Sequence, residues 1–362
     1  MDCKNFKILV LGGTGAIGSH LVRQMSETGG VGKIWITTRQ KIVSQNVNAE
    51  YVLGNAHDNA FLEQLLKKST WDCIVDFMTY TTEEFSSRIE NILQSTSQYI
   101  YLSSARVYAQ SKDLLTEESP RLLDICKDED YIKTDEYALA KARQEDILRN
   151  SKYNNWTIVR PYISFSQNRL QLSGGEKENW LYGALHGRPI FYTKDLADKY
   201  TTLTYGEDVA KAIASLIGEK ETLCQIYHIS SGQSYRWSDV LSVYTKVLTD
   251  YLGHSPKIIY IDEWKPLMGG GEYQVRYDRL YNRKFNVSKI NRYIDTNTFM
   301  PVLTQLADCL ESFLLRQRFK NINWIYEAQK DRISGRWCQK AELKTFRQRL
   351  KYMTVRLGLA YR

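Results

Sequence analysis

Three residues of this chain have the types and spacing of a proton-transfer site: Tyr137, Lys141 and Ser104. Tyr137 and Lys141 form a YxxxK pattern on a predicted helix, and a separation of four residues puts both side chains on one helix face. A phenol is ordinarily a poor base at neutral pH, but a nearby ammonium stabilises the phenolate. The Ser104 hydroxyl would bind the same substrate oxygen, so the set predicts transfer of one proton while a cofactor moves one hydride. Taken singly, YxxxK is common on surface helices and serine pairs are common turn caps.

A glycine motif predicts where that cofactor binds. In KILVLGGTGAIGSHLV, three glycines have GxxGxxG spacing directly between a strand and a helix. The first permits a tight turn, the second lets the backbone approach a pyrophosphate at the helix N-terminus, and the third lets the helix pack closely on the strand. The alternative is a glycine-rich turn that binds no ligand. The predicted cofactor contacts in this loop are Gly12, Thr14, Gly15, Ala16, Ile17 and Gly18.

The end of the second predicted strand bears on which dinucleotide is bound. The segment ITTRQK has Thr38 and Arg39 where an NAD enzyme would keep an acidic residue for the ribose hydroxyls. An arginine at this point can pair with a 2′-phosphate, although a solvated surface arginine is the alternative. The sequence therefore favours NADP over NAD, and NAD remains the alternative cofactor.

The elements that position these residues alternate along the first half of the chain. Short apolar runs rich in β-branched and aromatic residues predict strands at 7–11, 33–38, 72–77, 98–103 and 156–160. Between them, apolar residues recur at helical spacing: Ile17, Leu21, Val22 and Met25, then Phe61, Leu62, Leu65 and Leu66, then Phe85, Ile89, Ile92 and Leu93. This alternation predicts an α/β fold with a Rossmann-type doubly wound parallel sheet. Ser103 and Ser104 then lie at the carboxyl end of a strand, where such sheets bind ligands.

The rest of the chain predicts two further parts. Residues 1–165 are expected to form the dinucleotide-binding domain, and a helix at 207–217 followed by a strand at 225–230 returns 206–232 to it. Residues 166–205 and 233–315 are expected to form a smaller mixed α/β substrate lobe, with a strand at 257–261 and a helix that Pro301 opens. Residues 316–362 are expected to form a basic, helical C-terminal extension.

Composition excludes several other classes of protein. The chain is 43% hydrophobic and 25% charged, which is typical of a globular protein rather than a disordered one. Its six cysteines form no CxxC pair and its five histidines form no HExxH, so neither a disulfide framework nor a metal site is predicted. The N-terminal apolar run is too short for a signal peptide, and no run approaches a membrane span. We therefore expect a cytoplasmic protein with reduced thiols.

The formal charge of +8 is concentrated in the C-terminal extension. Residues 316–362 hold 13 of the 49 Lys and Arg residues but only 3 of the 41 Asp and Glu residues. Within it, apolar residues alternate at spacings of three and four among lysines and arginines: Leu343, Phe346, Leu350, Met353, Leu357 and Ala360. The pattern predicts a basic amphipathic helix that packs on the chain's own body or a sister subunit, or docks on an anionic membrane.

Taken together, the motifs resemble the extended short-chain dehydrogenase/reductase family of NAD(P)-dependent sugar-nucleotide epimerases, dehydratases and reductases. The resemblance covers about residues 6–315 and includes GGTGAIG, SSARVY, the Tyr137/Lys141 pair, VRPY and YGEDVAKAI. It implies that Ser104 is the catalytic hydroxyl, Tyr137 the acid/base and Lys141 its partner. It also implies cofactor contacts from Ser103 and from Asn55, which stands where the family often has an aspartate that contacts adenine.

The resemblance leaves the reaction open. Dehydratases of the family carry an Asp-Glu pair after the catalytic hydroxyl, and Ala105 and Arg106 stand there instead, which argues against dehydration. We expect a reductase in surface-polysaccharide precursor synthesis, with an epimerase holding NAD tightly as the alternative. The segment RKFNVSKINRY near 283–293 resembles a less characterised branch of the family, some members of which are close to chloroplast RNA-binding proteins. A non-catalytic nucleic-acid binder on the same fold is therefore a second alternative. We expect a homo-oligomer, no bound nucleic acid, and a nucleotide-sugar substrate held by Tyr80, Arg106, Arg160, Arg169 and Arg276.

Overall fold

The computed structural model describes residues 5–27, 32–44 and 46–359. The strands in chain order are β1 (Lys7–Leu11), β2 (Lys33–Thr38), β3 (Ala49–Leu53), β4 (Trp71–Asp76), β5 (Thr96–Leu102), β6 (Trp156–Pro161), β7 (Ser164–Phe165), β8 (Gln171–Leu172), β9 (Gly175–Glu176), β10 (Ile190–Thr193), β11 (Tyr200–Thr202), β12 (Thr204–Tyr205), β13 (Gln225–Ile229), β14 (Ser234–Arg236) and β15 (Ile258–Ile261). The helices are α1 (Gly18–Glu27), α2 (Asn59–Leu66), α3 (Thr82–Ser86), α4 (Ile89–Gln94), α5 (Leu122–Ile125), α6 (Glu129–Ile132), α7 (Tyr137–Arg149), α8 (Lys177–Leu185), α9 (Lys194–Ala197), α10 (Gly206–Leu216), α11 (Trp237–Leu252), α12 (Glu272–Gln274), α13 (Val302–Leu315), α14 (Trp324–Ser334) and α15 (Phe346–Arg356).

A seven-stranded parallel sheet carries the predicted site. Its strand order is β13-β6-β5-β4-β1-β2-β3, and every neighbouring pair is parallel. The predicted α/β fold with a Rossmann-type sheet is thereby confirmed. The order of the strands reverses between β1 and β4, and ligands of such sheets bind outside the carboxyl ends of the strands at this point.

Both faces of this sheet are covered by helices, which explains the continuous apolar runs of its strands. Along β1, Ile8 and Val10 pack in one core with α1 and α10, whereas Leu9 and Leu11 pack in a second core with α2, α3 and α4. Side chains alternate between the faces of a strand, so a strand buried on both faces is apolar at most of its positions. The helical patterns at Ile17–Met25 and 61–66 supply the facing residues, as predicted.

Two differences from the sequence prediction concern strand β3 and the helices that follow β4. Strand β3 was not predicted, because AEYVL is an edge strand that is only partly buried and therefore lacks a continuous apolar run. The pattern at 85–93 predicted one helix, but the chain forms α3 and α4 with a break at Arg88. The Arg88 guanidinium donates to the carbonyl oxygens of Ala56 and His57, each at 2.9 Å, and so ties the break to the loop after β3.

The chain divides into two compact units. The first comprises the chain up to Ser164 with Thr202–Gln233 and Lys284–Met300, and it contains the seven-stranded sheet. The sequence analysis assigned 284–300 to the substrate lobe. Here the segment joins the first unit, where the Leu115 amide donates to the Lys284 carbonyl at 2.8 Å and His228 Nε2 bonds to the Asn286 carbonyl at 2.6 Å.

The second unit comprises Phe165–Thr201, Ser234–Arg283 and the chain from Pro301 onward. Its β10 and β15 pair in parallel, and the Trp180 ring of α8 stacks on Tyr244 of α11 with ring centres 4.6 Å apart. The C-terminal helices α14 and α15 pack against each other in this unit.

Among the described residues, Cys126, Cys224, Cys309 and Cys338 form no disulfide. Cys3, like Ala360 of the predicted stripe, lies outside the described residues. Within the part of the chain that the structure describes, no helix is long and apolar enough to cross a bilayer. The same residues contain no group of three or more His, Cys, Asp or Glu side chains arranged to hold a metal ion.

Candidate active site

The glycine loop closes tightly between β1 and α1. Gly12 has φ 72°, and a Cβ atom on it would lie 2.8 Å from the sulfur of Met78. A Cβ atom on Gly18 would lie 2.7 Å from the Cα atom of Gly13, so the helix starts against the loop itself. A Cβ atom on Gly15 would have only the Gly12 carbonyl oxygen near it, at 3.8 Å, which leaves the loop tip open. The first turn of α1 contains no acidic residue, so this helix N-terminus suits an anion.

The other predicted residues of this loop differ in what they offer a ligand. Thr14 and Gly15 are exposed and Ala16 is half-buried. The side chain of Ile17 packs in the core with α10, so the predicted cofactor contact of Ile17 would come from its backbone. The Gly12 amide donates to the Thr37 hydroxyl at 2.9 Å, which fixes the loop to the end of β2.

The residues after β2 and β3 border the same edge of the sheet. Thr38 is buried, and its hydroxyl accepts from the Gln40 amide and donates to the Gln40 carbonyl, both at 3.1 Å. This turn leaves Arg39 exposed directly beyond the carboxyl end of β2. Asn55 follows β3, is exposed, and accepts from the His57 amide at 3.2 Å.

Tyr137 and Lys141 lie at the start of α7. Tyr137 is the first residue of the helix, and the Glu136 side chain caps the helix by accepting from the Ala138 amide at 2.8 Å. One turn later, Lys141 is only 2% exposed, and its Nζ atom lies 5.9 Å from the centre of the Tyr137 ring. The ammonium donates to the carbonyl oxygens of Leu102 at 2.7 Å and Met78 at 3.4 Å. Lys141 is therefore fixed by the ends of β5 and β4.

Ser104 is joined to Tyr137 through Arg106. Ser104 follows β5 and caps a short 3₁₀ turn, Ala105–Val107, by accepting from the Arg106 amide at 3.2 Å. The turn packs on α7. The Arg106 guanidinium bonds to the Glu136 carboxylate at 2.6 Å and lies 5.2 Å from the centre of the Tyr137 ring. The structure thus brings Ser104, Arg106, Tyr137 and Lys141 together.

Buried charges surround the lysine. Burial lowers the pKa of Lys141 to about 8, and the Asp76 and Glu145 carboxylates oppose this shift. Asp76 ends β4 and accepts from Tyr99 at 2.9 Å, from Tyr80 at 3.1 Å and from the Met78 amide at 2.8 Å. Burial raises the pKa of Asp76. The hydrogen bonds from the Met78 amide and the Tyr99 hydroxyl are the two largest effects that oppose this rise.

Sequence reasoning missed Asp76, although the sequence held a sign of it. A carboxylate at the last position of the buried strand WDCIVD must find partners, because burying an unpaired charge is costly. Its partners are the hydroxyls of Tyr99 and Tyr80 and the Met78 amide. Tyr99 lies on the next strand and the other two lie in the loop after β4, and the sequence pattern does not reveal these contacts.

Two predicted ligand contacts are corrected by a buried network. Arg160 is 0% exposed, and its guanidinium binds Glu145 of α7 through two hydrogen bonds of 2.8 and 2.6 Å. The Ser103 hydroxyl donates to the same carboxylate at 2.6 Å. Burial disfavours the Glu145 carboxylate, but Arg160 and Ser103 outweigh it and lower its pKa. Arg160 and Ser103 therefore fix β5 and β6 to α7, and their side chains are engaged inside this buried network.

The remaining substrate candidates fall into two groups. Tyr80 is buried with its hydroxyl on Asp76, so the predicted substrate contact is corrected here too. Arg169 and Arg276 belong to the second unit, where Arg169 pairs with Glu176 at 3.3 Å and Arg276 lies 5.2 Å from the centre of the Tyr277 ring. Their roles toward a substrate stay predictions.

Comparison with known proteins agrees with the fold. The sequence model of the NAD dependent epimerase/dehydratase family matches residues 8–230. No curated protein matches the chain in sequence.

Several solved structures resemble the chain at low identity. The dTDP-glucose 4,6-dehydratase of Bacillus anthracis in complex with NAD is 17% identical, with 86% of this chain and 97% of that chain covered and a TM-score of 0.64. The UDP-glucuronic acid 4-epimerase of Bacillus cereus in complex with UDP-glucuronic acid and NAD is 14% identical, with 85% and 99% covered and a TM-score of 0.62. The ADP-L-glycero-D-manno-heptose-6-epimerase of Helicobacter pylori is 16% identical, with 87% and 98% covered and a TM-score of 0.61. At these identities the likeness establishes the fold alone.

Proposed function

The chain belongs to the NAD-dependent epimerase/dehydratase family, and from this membership we propose that it transfers hydride at a carbinol or ketone carbon of a nucleotide-activated sugar. The observation that carries the proposal is the cluster at the start of α7, where Lys141 lies buried one turn below Tyr137 and beside the strand end that leads to Ser104. A buried ammonium beside a half-buried phenol lowers the stability of the folded protein, because the charge has been removed from water. A protein that only binds a ligand gains nothing from this arrangement.

The chain's own residues handle the proton. Ser104 Oγ accepts a hydrogen bond from the Arg106 amide, so the Ser104 hydroxyl can donate its own proton to a substrate oxygen. Tyr137 then donates a proton to that oxygen during reduction, or takes it during oxidation. Lys141, held by two backbone carbonyls, keeps a positive charge near the phenol and favours the phenolate whenever Tyr137 has given up its proton. A bound nicotinamide ring supplies or accepts the hydride.

The residues present fit a dinucleotide. The open tip at Gly15, the tight turn at Gly12 and the acid-free N-terminus of α1 suit a pyrophosphate. Arg39 is exposed beyond β2 and suits a 2′-phosphate, so we propose NADP as the cofactor. NAD is the alternative, and the solved dehydratase and UDP-glucuronic acid 4-epimerase are complexes with NAD.

The same residues bear on the reaction. Ala105 is buried and carries no acid, and Arg106 is already bound to Glu136, so the turn after Ser104 has no group that could remove a hydroxyl as water. This argues against dehydration. We propose a reductase that acts on a nucleotide sugar in the synthesis of surface-polysaccharide precursors, with Arg106, 5.2 Å from the centre of the Tyr137 ring, as a substrate contact. An epimerase that keeps NAD bound is the second candidate, favoured by the likeness to solved epimerases.

One set of measurements tests the proposal. Mass spectrometry of the purified protein identifies any nucleotide that it retains, and titrations with NADPH and NADH give the affinity for each. UDP-, dTDP- and ADP-linked 4-keto sugars, and the corresponding hydroxy sugars, are then assayed for nicotinamide turnover. We expect preferential NADPH binding and NADPH oxidation by a keto sugar. Retained NAD with interconversion of two epimers would identify the second candidate, and tight oligonucleotide binding without dinucleotide binding would refute both.

A further inference from the structure

We propose that one face of helix α15 is a docking surface for an anionic lipid bilayer. We call this face the α15 stripe and define it as Phe346, Leu350, Met353 and Leu357. The proposal concerns an interaction surface that the proposed hydride transfer does not use, so the two can fail separately.

Helix α15 turns its apolar face away from the protein. The stripe residues are 79%, 52%, 41% and 59% exposed, in chain order. At about 100° per residue they lie within an arc of about 60° on the helix. Tyr352 is buried and Val355, opposite Phe346, packs on the same small core, which also contains Trp324 and Leu343. A helix that only packs on its own protein buries its apolar stripe, so this orientation indicates an external partner.

The inward face of α15 is held by polar contacts rather than by the stripe. The Tyr352 hydroxyl donates to Asp331 of α14 at 2.6 Å and accepts from the Cys338 amide at 2.8 Å. Among the described residues of the predicted stripe, only Leu343 is buried, and it precedes the helix. The sequence expectation that this stripe packs on the chain's own body is therefore wrong for the residues within α15.

Every charged residue between positions 343 and 358 is basic. Basic residues stand on both sides of the stripe and just before it: Lys344, Arg347, Arg349, Lys351 and Arg356. The three acids of the extension are turned inward, since Glu327, Asp331 and Glu342 are nearly fully buried in ion pairs. Glu342 and Asp331 face Arg188, and Glu327 faces both Arg188 and Lys330. Lys344 and Arg347 are exposed beside the start of the stripe, whereas the acids of the extension face inward.

This combination selects a membrane over other partners. A two-fold contact with a second copy would bury the stripe but would bring two sets of arginines together. A nucleic acid would neutralise the arginines but leave the apolar stripe in water. An anionic bilayer does both, because the stripe enters the acyl boundary while the flanking cations meet the headgroups. Since no described helix spans a bilayer, the contact is peripheral.

The test is co-sedimentation of the full-length protein with sucrose-loaded vesicles. One vesicle type is pure phosphatidylcholine, and the other contains about one third phosphatidylglycerol. We expect binding to the anionic vesicles alone, and its loss in 1 M NaCl, where charges are screened beyond about 3 Å. Each of Arg347→Ala and Lys344→Ala should lower the partition coefficient about fivefold, the factor for about 1 kcal/mol per basic residue near such a surface.

A matched pair of double variants separates the stripe from general charge. Leu350→Glu with Leu357→Glu puts two acids on the stripe, whereas Val47→Glu with Leu315→Glu adds the same charge at two other exposed apolar residues. We expect the stripe variant to lose at least tenfold more vesicle binding than the control, with unchanged circular dichroism and thermal unfolding.

Three outcomes would overturn the proposal. The first is equal loss of binding in the two double variants. The second is that wild type does not bind vesicles but forms a dimer in analytical ultracentrifugation, and that the stripe variant no longer forms this dimer. The third is retention of an oligonucleotide by a wild type that ignores vesicles. The alanine variants at Arg347 and Lys344 keep the test decisive if the double variant fails to fold.

Discussion

Lys141 makes the stability of the fold depend on pH in a way that can be calculated. Burial lowers its pKa to about 8, whereas a lysine in the unfolded chain titrates near 10.5. Between these two pH values the unfolded chain binds more protons than the folded protein, so stability rises with pH across that window. For one group with these pKa values the gain is about 2.5 kcal/mol between pH 7 and pH 10. Below pH 8 the penalty of the buried charge is fully present.

The perturbation that tests this is Lys141→Met, which keeps a long side chain but removes the titrating group. Urea unfolding at pH 7, 8, 9 and 10 gives the free energy of unfolding of both proteins, and their difference cancels the other lysines and the tyrosines. We expect the free energy of unfolding of wild type to rise by about 2.5 kcal/mol relative to that of the variant over this range. Asp76→Asn removes a carboxylate that raises the pKa of Lys141, so this pKa should fall further. The rise in the free energy of unfolding should then begin at a lower pH. A difference that stays constant from pH 7 to pH 10 would refute the reasoning from burial.

Three further substitutions test the site. Arg39→Ala should weaken NADPH by about 1 to 3 kcal/mol, roughly five- to 150-fold, with little effect on NADH, and fluorescence titrations with both cofactors measure this. Equal losses would remove the argument for a 2′-phosphate. Tyr137→Phe should fold and bind cofactor but lose about 10²- to 10⁴-fold in turnover, measured with the substrate that the panel identifies, and wild-type turnover would refute the mechanism. Arg160→Met should cost about 3 to 5 kcal/mol in urea unfolding, because Glu145 keeps its buried charge without its main partner. A raised KM at unchanged stability would restore Arg160 to the substrate site.

Most of the first unit could be predicted from the sequence because burial on both faces leaves a strong pattern. Residues 7–11 and 33–38 are continuous apolar or β-branched runs, and they form β1 and β2 with the predicted bounds. Strand β3 lies at the sheet edge with half of its surface open, so its residues carry no such pattern. The break between α3 and α4 depends on Arg88 bonding to a loop about 30 residues earlier, which no local pattern encodes.

The candidate site divides in the same way. Spacing along one helix brought Tyr137 and Lys141 together, because a separation of four residues defines a helix face wherever the helix lies. The partners of Lys141, just after β4 and at the end of β5, come from other parts of the chain, so its burial could not be predicted. Asp76 was signalled only by its place at the end of a buried strand, and its partners were not. The α15 stripe was predicted as a pattern of apolar residues. Which side of the helix faces the protein depends on Tyr352 and its hydrogen bond to Asp331.

Arg106 and Arg160 show why residue type alone did not separate ligand contacts from structural ones. Arg160 still lies within β6 and is 0% exposed, so its charge is neutralised inside the protein by Glu145. Arg106 lies two residues past Ser104, beyond the end of β5, where the chain has left the sheet and the guanidinium can lie against the Tyr137 ring. Its bond to Glu136 also stabilises the cap of α7, the helix that begins with Tyr137. In a parallel sheet covered on both faces, an arginine reaches a ligand only from beyond the strand ends, so its position relative to the strand decides its role.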